Sequence, residues 1–233
     1  MSSLRELAVS RQHPARKLVY RDGRVHVVLR PTTVEDAEIL AAAVQGSRSE
    51  LQAFMPWSHA EQSAYVQLER LKAVEAEYWA GKSLAMGLFA ADGGEFLVSV
   101  GLEARVPLNP NGLEIGYWTM TAHAGRGLAT LGVRMAIAYA FEHLGCDRLQ
   151  VLHDETNHAS RRVIEKCGFV FEGTLRNAVT PPTPELAQAG FRGTERHRLY
   201  ALWPEDRARL DWYAPLLARL EVYNIGGYRV AHP

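Results

Sequence analysis

Cysteine is scarce: the 233 residues hold two, Cys146 and Cys167, with no CxxC spacing. That gives no disulfide framework, and the two thiols read as small core residues of a reducing, cytoplasmic compartment. No run approaches the roughly 18 apolar residues a membrane helix needs. The leading MSSLRELAVSRQHPARK is polar and basic, without an apolar core of signal-peptide length. An excess of one charge is missing as well. Lys plus Arg and Asp plus Glu are 26 each, so the formal net charge is zero, and bulk binding to the phosphates of nucleic acid is disfavoured. GxxxxGK[ST] is absent, and so is GxGxxG, which excludes a P-loop and a dinucleotide fingerprint.

What remains is ordinary globular composition, 47% apolar and 22% charged, in strands and helices that interleave. VHVVLRP (25–31) is β-branched and stops at a proline, as a first strand does. TTVEDAEILAAAV offers a Thr cap and first-turn acids for a helix. A second helix is expected over 61–79. Between them, LQAFMPW clusters Phe54, Met55 and Trp57 around Pro56, either as a core plug or as the wall of a binding site. Two apolar runs around Asp92-Gly93-Gly94 read as a hairpin, and LEIGYWTM (113–120) as another strand. A helix to about His143 follows, then a buried strand from Arg148 and a helix capped by Asn157 that ends at Gly168. FVFEGTL and ERHRLYALW supply two last strands. The fold class is a mixed α/β sheet with helices on both faces.

HAGRGLAT (123–130) carries the chemistry. Glycines permit positive φ and close backbone approach, and a helix start presents unpaired N–H groups, so a strand, glycine loop and helix in succession suit a phosphate. The same pattern also serves as a plain turn. Taken with LRPTTVEDAEIL, MPW, LEIGYWTMTAHAGRGLAT and NHASRRVIEKCGFVFEGTLRN in order, the chain resembles the RimJ/RimL-like branch of the GNAT superfamily of N-acetyltransferases from about residue 25 to 203. The family's loop, Gln/Arg-x-x-Gly-x-Gly/Ala, falls on Ala124 to Ala129, with Ala124 departing from Gln or Arg.

The resemblance implies a mostly antiparallel sheet with a splayed middle, and domain limits of 25–203 with extensions at 1–24 and 204–233, the latter packing on the domain or on a partner. It implies acetyl-CoA as co-substrate and no metal. Trp118, Thr119 and Met120 would pair with the pantetheine amides, and Gly125, Arg126, Gly127, Leu128, Ala129 and Thr130 would hold the pyrophosphate, with Asn157 and Ser160 on the far side. Glu114 stands at the family's base position and Ser160 at the proton donor's; Ile164 occupies the place of the tyrosine that many relatives use. A glutamate this branch carries after the penultimate strand has no counterpart in LRNAVTPP. Phe54, Met55, Trp57 and Tyr117 are the candidate acceptor contacts. HDETNH (153–158), rich in metal-ligand residue types, reads as a solvated loop because it has no i, i+4 pair on one helical face.

The expected activity is direct transfer of acetyl to a primary amine, foremost the α-amine of a protein or peptide. A small-molecule amine acetyltransferase and an acyl-CoA-binding module without turnover are the rivals, and the PPTPELAQAGFRG insert (181–193) favours a restricted cleft. No nucleic acid or membrane partner is expected, and the chain is a monomer or homodimer.

Overall fold

The computed structural model describes residues 13–91, 94–107, 109–179 and 182–232. Ten strands form one sheet in the order β10-β9-β1-β2-β3-β4-β5-β6-β8-β7. They are β1 (Lys17–Arg21), β2 (His26–Pro31), β3 (Ser83–Ala90), β4 (Phe96–Glu103), β5 (Gly112–Thr119), β6 (Arg148–Asp154), β7 (Val170–Arg176), β8 (Arg196–Leu202), β9 (Leu220–Tyr223) and β10 (Arg229–Val230). Only β5 and β6 run parallel; every other neighbour is antiparallel. The helices are α1 (Ala37–Gly46), α2 (Arg48–Gln52), α3 (Ala64–Trp79), α4 (Leu128–His143), α5 (His158–Cys167), α6 (Pro184–Gln188) and α7 (Tyr213–Leu217).

Local chemistry explains most boundaries. Thr33 and Asp36 form a capping box on the short 3-10 turn that leads into α1. Arg30 clamps the Asp36 carboxylate with two 2.8 Å bonds, and these hold that carboxyl below its usual range even though burial works the other way. Ser63 caps α3, and the Asn157 carboxamide oxygen accepts from the Ser160 N–H at 3.1 Å to start α5. Of the expected Asp92-Gly93-Gly94 turn, Asp92 and Gly93 lie outside the described residues.

Two cores sandwich the sheet. Leu88, Val98, Val100, Leu113 and Ile115 pack with α4 and with Ile164 and Cys167 of α5. On the opposite face Phe89 and Phe96 pack with Ala37, Leu40, Ala43 and Leu71, and Trp118 joins them. Cys146 and Cys167 are both buried, and burial pushes the Cys167 thiol up to about 12, which leaves it unreactive.

The sequence reading ended the sheet too early at both termini. Residues 17–21, set apart as an extension, form β1, and residues after 203 add β9 beside it and β10 beyond β9. Ala15 is the anchor: its N–H donates to the Tyr139 hydroxyl at 2.8 Å and its carbonyl accepts from Tyr78 at 2.6 Å, both phenols being fully buried. The chain after β8 packs on α4, where Glu142 accepts from Arg207 at 2.7 Å and from Tyr213 at 2.8 Å.

A histidine pair fastens the chain's end. His232 Nε2 lies 2.8 Å from the Leu220 carbonyl, which can only accept, so that nitrogen carries the proton. His232 Nδ1 therefore accepts from His143 Nε2 at 3.0 Å. Burial, together with the neighbouring His232, lowers the His143 pKa from 6.5 to about 4. A folded pKa below the unfolded one contributes stability that is present above pH 6.5 and lost as pH falls through about 4. The bound on that loss is about 3 kcal/mol, or roughly 6–12 °C in melting temperature for a chain of this size. Melting scans from pH 7.5 to 4 should show this acid loss in the wild type, and a smaller one in His143→Gln. Equal losses would remove the pair from the pH dependence.

Candidate active site

The sheet opens between β5 and β6. Their ladder consists of Gly112–Arg148, Leu113–Leu149 and Glu114–Gln150 and then stops, although β5 continues to Thr119 and β6 to Asp154. Each keeps its outer partner, β4 or β8, so the inner edges diverge from an apex at Glu114. In an antiparallel ladder, residues that point their N–H and C=O groups at the partner alternate with residues that point them away. Met120 donates its N–H to the Leu97 carbonyl at 3.0 Å. Trp118 shares that orientation, while Tyr117 and Thr119 turn their backbone groups into the gap. Of the trio Trp118, Thr119 and Met120, it is Thr119 whose amide and carbonyl face the opening.

Beyond β5 a short 3-10 turn, Thr121–His123, leads to the glycine loop. The Thr121 N–H donates to the Ser47 hydroxyl at 2.9 Å and its own hydroxyl to Glu50 at 3.0 Å, which pins the turn to the α1–α2 junction. Gly125 and Gly127 have φ of +75° and +79°, the left-handed region that glycine enters without strain, and a Cβ built on either would meet nothing within 4 Å. Gly127 is the N-cap of α4 and offers no side chain, so the first-turn N–H groups of Leu128, Ala129 and Thr130 have no side-chain cap. The Arg126 guanidinium, which can only donate, lies 2.9 Å from His123 Nδ1; His123 Nε2 then donates to Glu95 at 3.0 Å. Buried His123 thus holds Arg126 over the loop. A cavity of about 420 Å³ opens beside it, lined by Arg126, Gly127, Arg134 and Lys166 among others. Open space, free amides and cations are what a pyrophosphate needs.

The two faces of the gap differ. Glu114, Gly116 and Trp118 share the face of α1 and α3. Glu114 Oε2 accepts from Gln150 at 3.0 Å, and Glu103 stands directly across β4 from it. Burial raises the Glu103 pKa; Arg105, 2.5 Å away, opposes the shift, and the charges of Glu114 and Glu77 add to it. The sequence reading missed Glu103, since nothing in LVSVGLEARV marks it. Trp57 is 43% exposed with its ring 6.2 Å from Trp118, so it is not a core plug; Phe54 and Met55 beside it are half-buried. The insert docks there: Arg192 donates its N–H to the Ala53 carbonyl at 2.8 Å, and Phe191 meets His59 edge-on at 6.3 Å.

On the other face Tyr117 and α5 close the gap. Tyr117 Oη lies 2.9 Å from Ser160 Oγ and 3.0 Å from the Ser160 carbonyl oxygen. Tyr117, grouped by sequence with the acceptor contacts, sits beside the proton-donor candidate. HDETNH also departs from expectation: His153 and Asp154 are 5% and 7% exposed and belong to β6. Cross-strand pairing draws them in, because β8 covers that edge; the His153 ring packs 5.6 Å from Tyr200. Asp154 accepts from the Thr156 N–H at 2.9 Å and hydroxyl at 2.6 Å, and from the Thr194 N–H.

Comparison with known proteins identifies the fold. The acetyltransferase (GNAT) domain matches residues 26–170. The chain belongs to the GNAT acetyltransferase family. It is 27% identical over 160 residues to YoaA of Bacillus subtilis strain 168, an uncharacterized N-acetyltransferase, covering 64% of this chain and 82% of that one. YdaF of the same organism is 39% identical over 66 residues, so the match spans only 36% of that relative's length and 28% of this chain. Two solved structures share the fold. RimJ of Mycobacterium smegmatis in complex with CoA-disulfide has a TM-score of 0.71 at 20% identity, over 88% of this chain and 96% of that one. Ribosomal-protein-S5-alanine acetyltransferase of Vibrio fischeri has a TM-score of 0.67 at 16% identity, over 81% and 97%. The GNAT enzyme described here has, among its described residues, no helix long and apolar enough to cross a membrane.

Proposed function

We propose that this GNAT enzyme transfers acetyl from acetyl-CoA to the α-amine of a protein or peptide, in the cytoplasm, by direct attack across the β5–β6 gap. One observation carries the reading: the carboxylate Glu114 and the hydroxyl Ser160 flank the same gap from opposite faces of the sheet. An amine entering beside Glu114 and a thioester lying under Ser160 would meet at the opening, and holding them there removes much of the entropy of encounter. The loop at 125–130 and the free groups of Thr119 would bind the pyrophosphate and pantetheine.

An ammonium must lose one proton before it attacks, which is the role assigned to Glu114. The second proton moves from nitrogen to sulfur, and Ser160 carries it. The demand on the base depends on the acceptor. An α-amine with pKa about 7.8 is roughly a tenth neutral at pH 7, whereas a lysine at about 10.4 needs about 3.5 kcal/mol more help. Glu114, which accepts an ordinary hydrogen bond from Gln150 at 3.0 Å, is asked for less by the first. The name of one fold neighbour, ribosomal-protein-S5-alanine acetyltransferase, favours a protein acceptor. Against this, the insert's contact with Ala53 brings it beside Trp57 and favours the rival reading of a small-molecule amine.

The test is a panel of N-terminal peptides, lysine side-chain amines and polyamines with acetyl-CoA, products located by mass spectrometry, run in wild type and Glu114→Gln from about pH 6 to pH 10. Acetylation at peptide α-amines is expected, with a Glu114→Gln defect that shrinks above about pH 8 as the amine becomes neutral. Turnover confined to small amines contradicts the protein acceptor, and a defect of constant size removes Glu114 as base.

A further inference from the structure

Tyr117 and Ser160 are 43 residues apart, yet the phenol of one reaches both oxygens of the other across the gap. The proton count decides what that contact means. A phenol has one proton, a carbonyl oxygen only accepts, and a serine hydroxyl does both. Two arrangements therefore fit the same heavy atoms. In the first, Tyr117 donates to the Ser160 carbonyl and Ser160 donates to Oη, which turns the serine proton away from the gap. In the second, Tyr117 donates to Oγ and the serine proton is free to point at a ligand. Passing between them takes a rotation of each hydroxyl, about the phenolic C–O bond and about the serine Cβ–Oγ bond, and no movement of oxygen.

We propose that Tyr117 is the positioning residue of the reaction: it holds Ser160 Oγ at the gap and, by turning its proton from the carbonyl to Oγ, releases the serine proton toward the leaving sulfur. This rests on the Ser160 reading above. The step balances. As the amine nitrogen bonds to the acyl carbon and the C–S bond breaks, Oγ gives its proton to sulfur and takes one from nitrogen, so serine ends as it began. Tyr117 keeps its own proton throughout. Burial, chiefly, drives its ionisation far above that of an ordinary phenol, which makes it a poor proton source and a durable hydrogen-bond donor. Ser160 is then fixed twice, by Asn157 at its N–H and by Tyr117 at its hydroxyl. A purely structural phenol would need only the carbonyl.

Tyr117→Phe removes the hydroxyl and keeps the ring. Its kcat is expected to fall roughly 10- to 100-fold, with KM for both substrates and the acetyl-CoA Kd within about threefold. The double variant Tyr117→Phe/Ser160→Ala is expected to be no slower than Ser160→Ala, because a residue acting through serine has nothing to act on once the hydroxyl is gone. Wild-type kcat in Tyr117→Phe, beside a slow Ser160→Ala, overturns this inference and leaves the serine reading intact. A slower double variant overturns it as well. Wild-type kcat in Ser160→Ala overturns the serine reading and this one together. Fluorotyrosine at position 117 keeps the fold while making the phenol more acidic. An unmoved pH profile of kcat is expected, and an alkaline limb that follows the phenol's acidity contradicts positioning.

Discussion

Ser160→Ala is expected to lower kcat by about 10²-fold or more while the acetyl-CoA Kd changes less than threefold. The asymmetry follows from where the hydroxyl works. Its lone pair and proton are called on while nitrogen loses a proton and sulfur gains one, and before that moment it is held by Tyr117 and makes little difference to the bound thioester. Helix α5 should survive the change, because the cap is the Asn157 side chain on the backbone N–H of residue 160, which alanine retains. The variant must be measured where chemistry limits the rate, shown by a pre-steady-state burst being absent. A kcat equal to wild type under that condition contradicts the role.

Gly127→Val is expected to raise the acetyl-CoA Kd by about 10²-fold or more. Two costs arise at one residue. A φ of +79° is strained for any side chain and worst for a β-branched one, on the order of 1–3 kcal/mol, which shows as lower stability. The added methyls also project from the N-cap of α4 into the space that the phosphates are assigned. Nothing of the protein lies within 4 Å of the new Cβ, so the cost inside the fold is backbone strain and not a clash at that atom, and a melting scan reads it separately from lost binding. A folded variant that binds acetyl-CoA normally contradicts the loop assignment.

Elements marked by local chemistry were legible in the sequence. The Thr33 and Asn157 caps, the proline that ends β2 and the glycines before α4 all act within a few residues, and the structure keeps each. The pairing of the termini was not legible. KLVYR and LEVY are short and of ordinary composition, and what makes them strands is each other, about 200 residues apart in the chain. The candidate site divides the same way. The loop is a contiguous motif, whereas Tyr117 with Ser160, Glu103 with Glu114, and Glu95 with His123 become neighbours only through the sheet. HDETNH misled because polar residue types were read as solvated, while a buried β6 draws His153 and Asp154 inward and satisfies the carboxylate with threonine.

The central claim is that the β5–β6 gap and the 125–130 loop together form an acetyl-CoA site. Calorimetric titration of the wild-type chain with acetyl-CoA, alongside its melting temperature, addresses it most directly. One molecule bound per chain is predicted, with a stabilisation of about 2.7 kcal/mol at a hundredfold excess over Kd, roughly 5–11 °C for a chain of this size. No heat of binding and no shift in melting temperature at millimolar acetyl-CoA would contradict it.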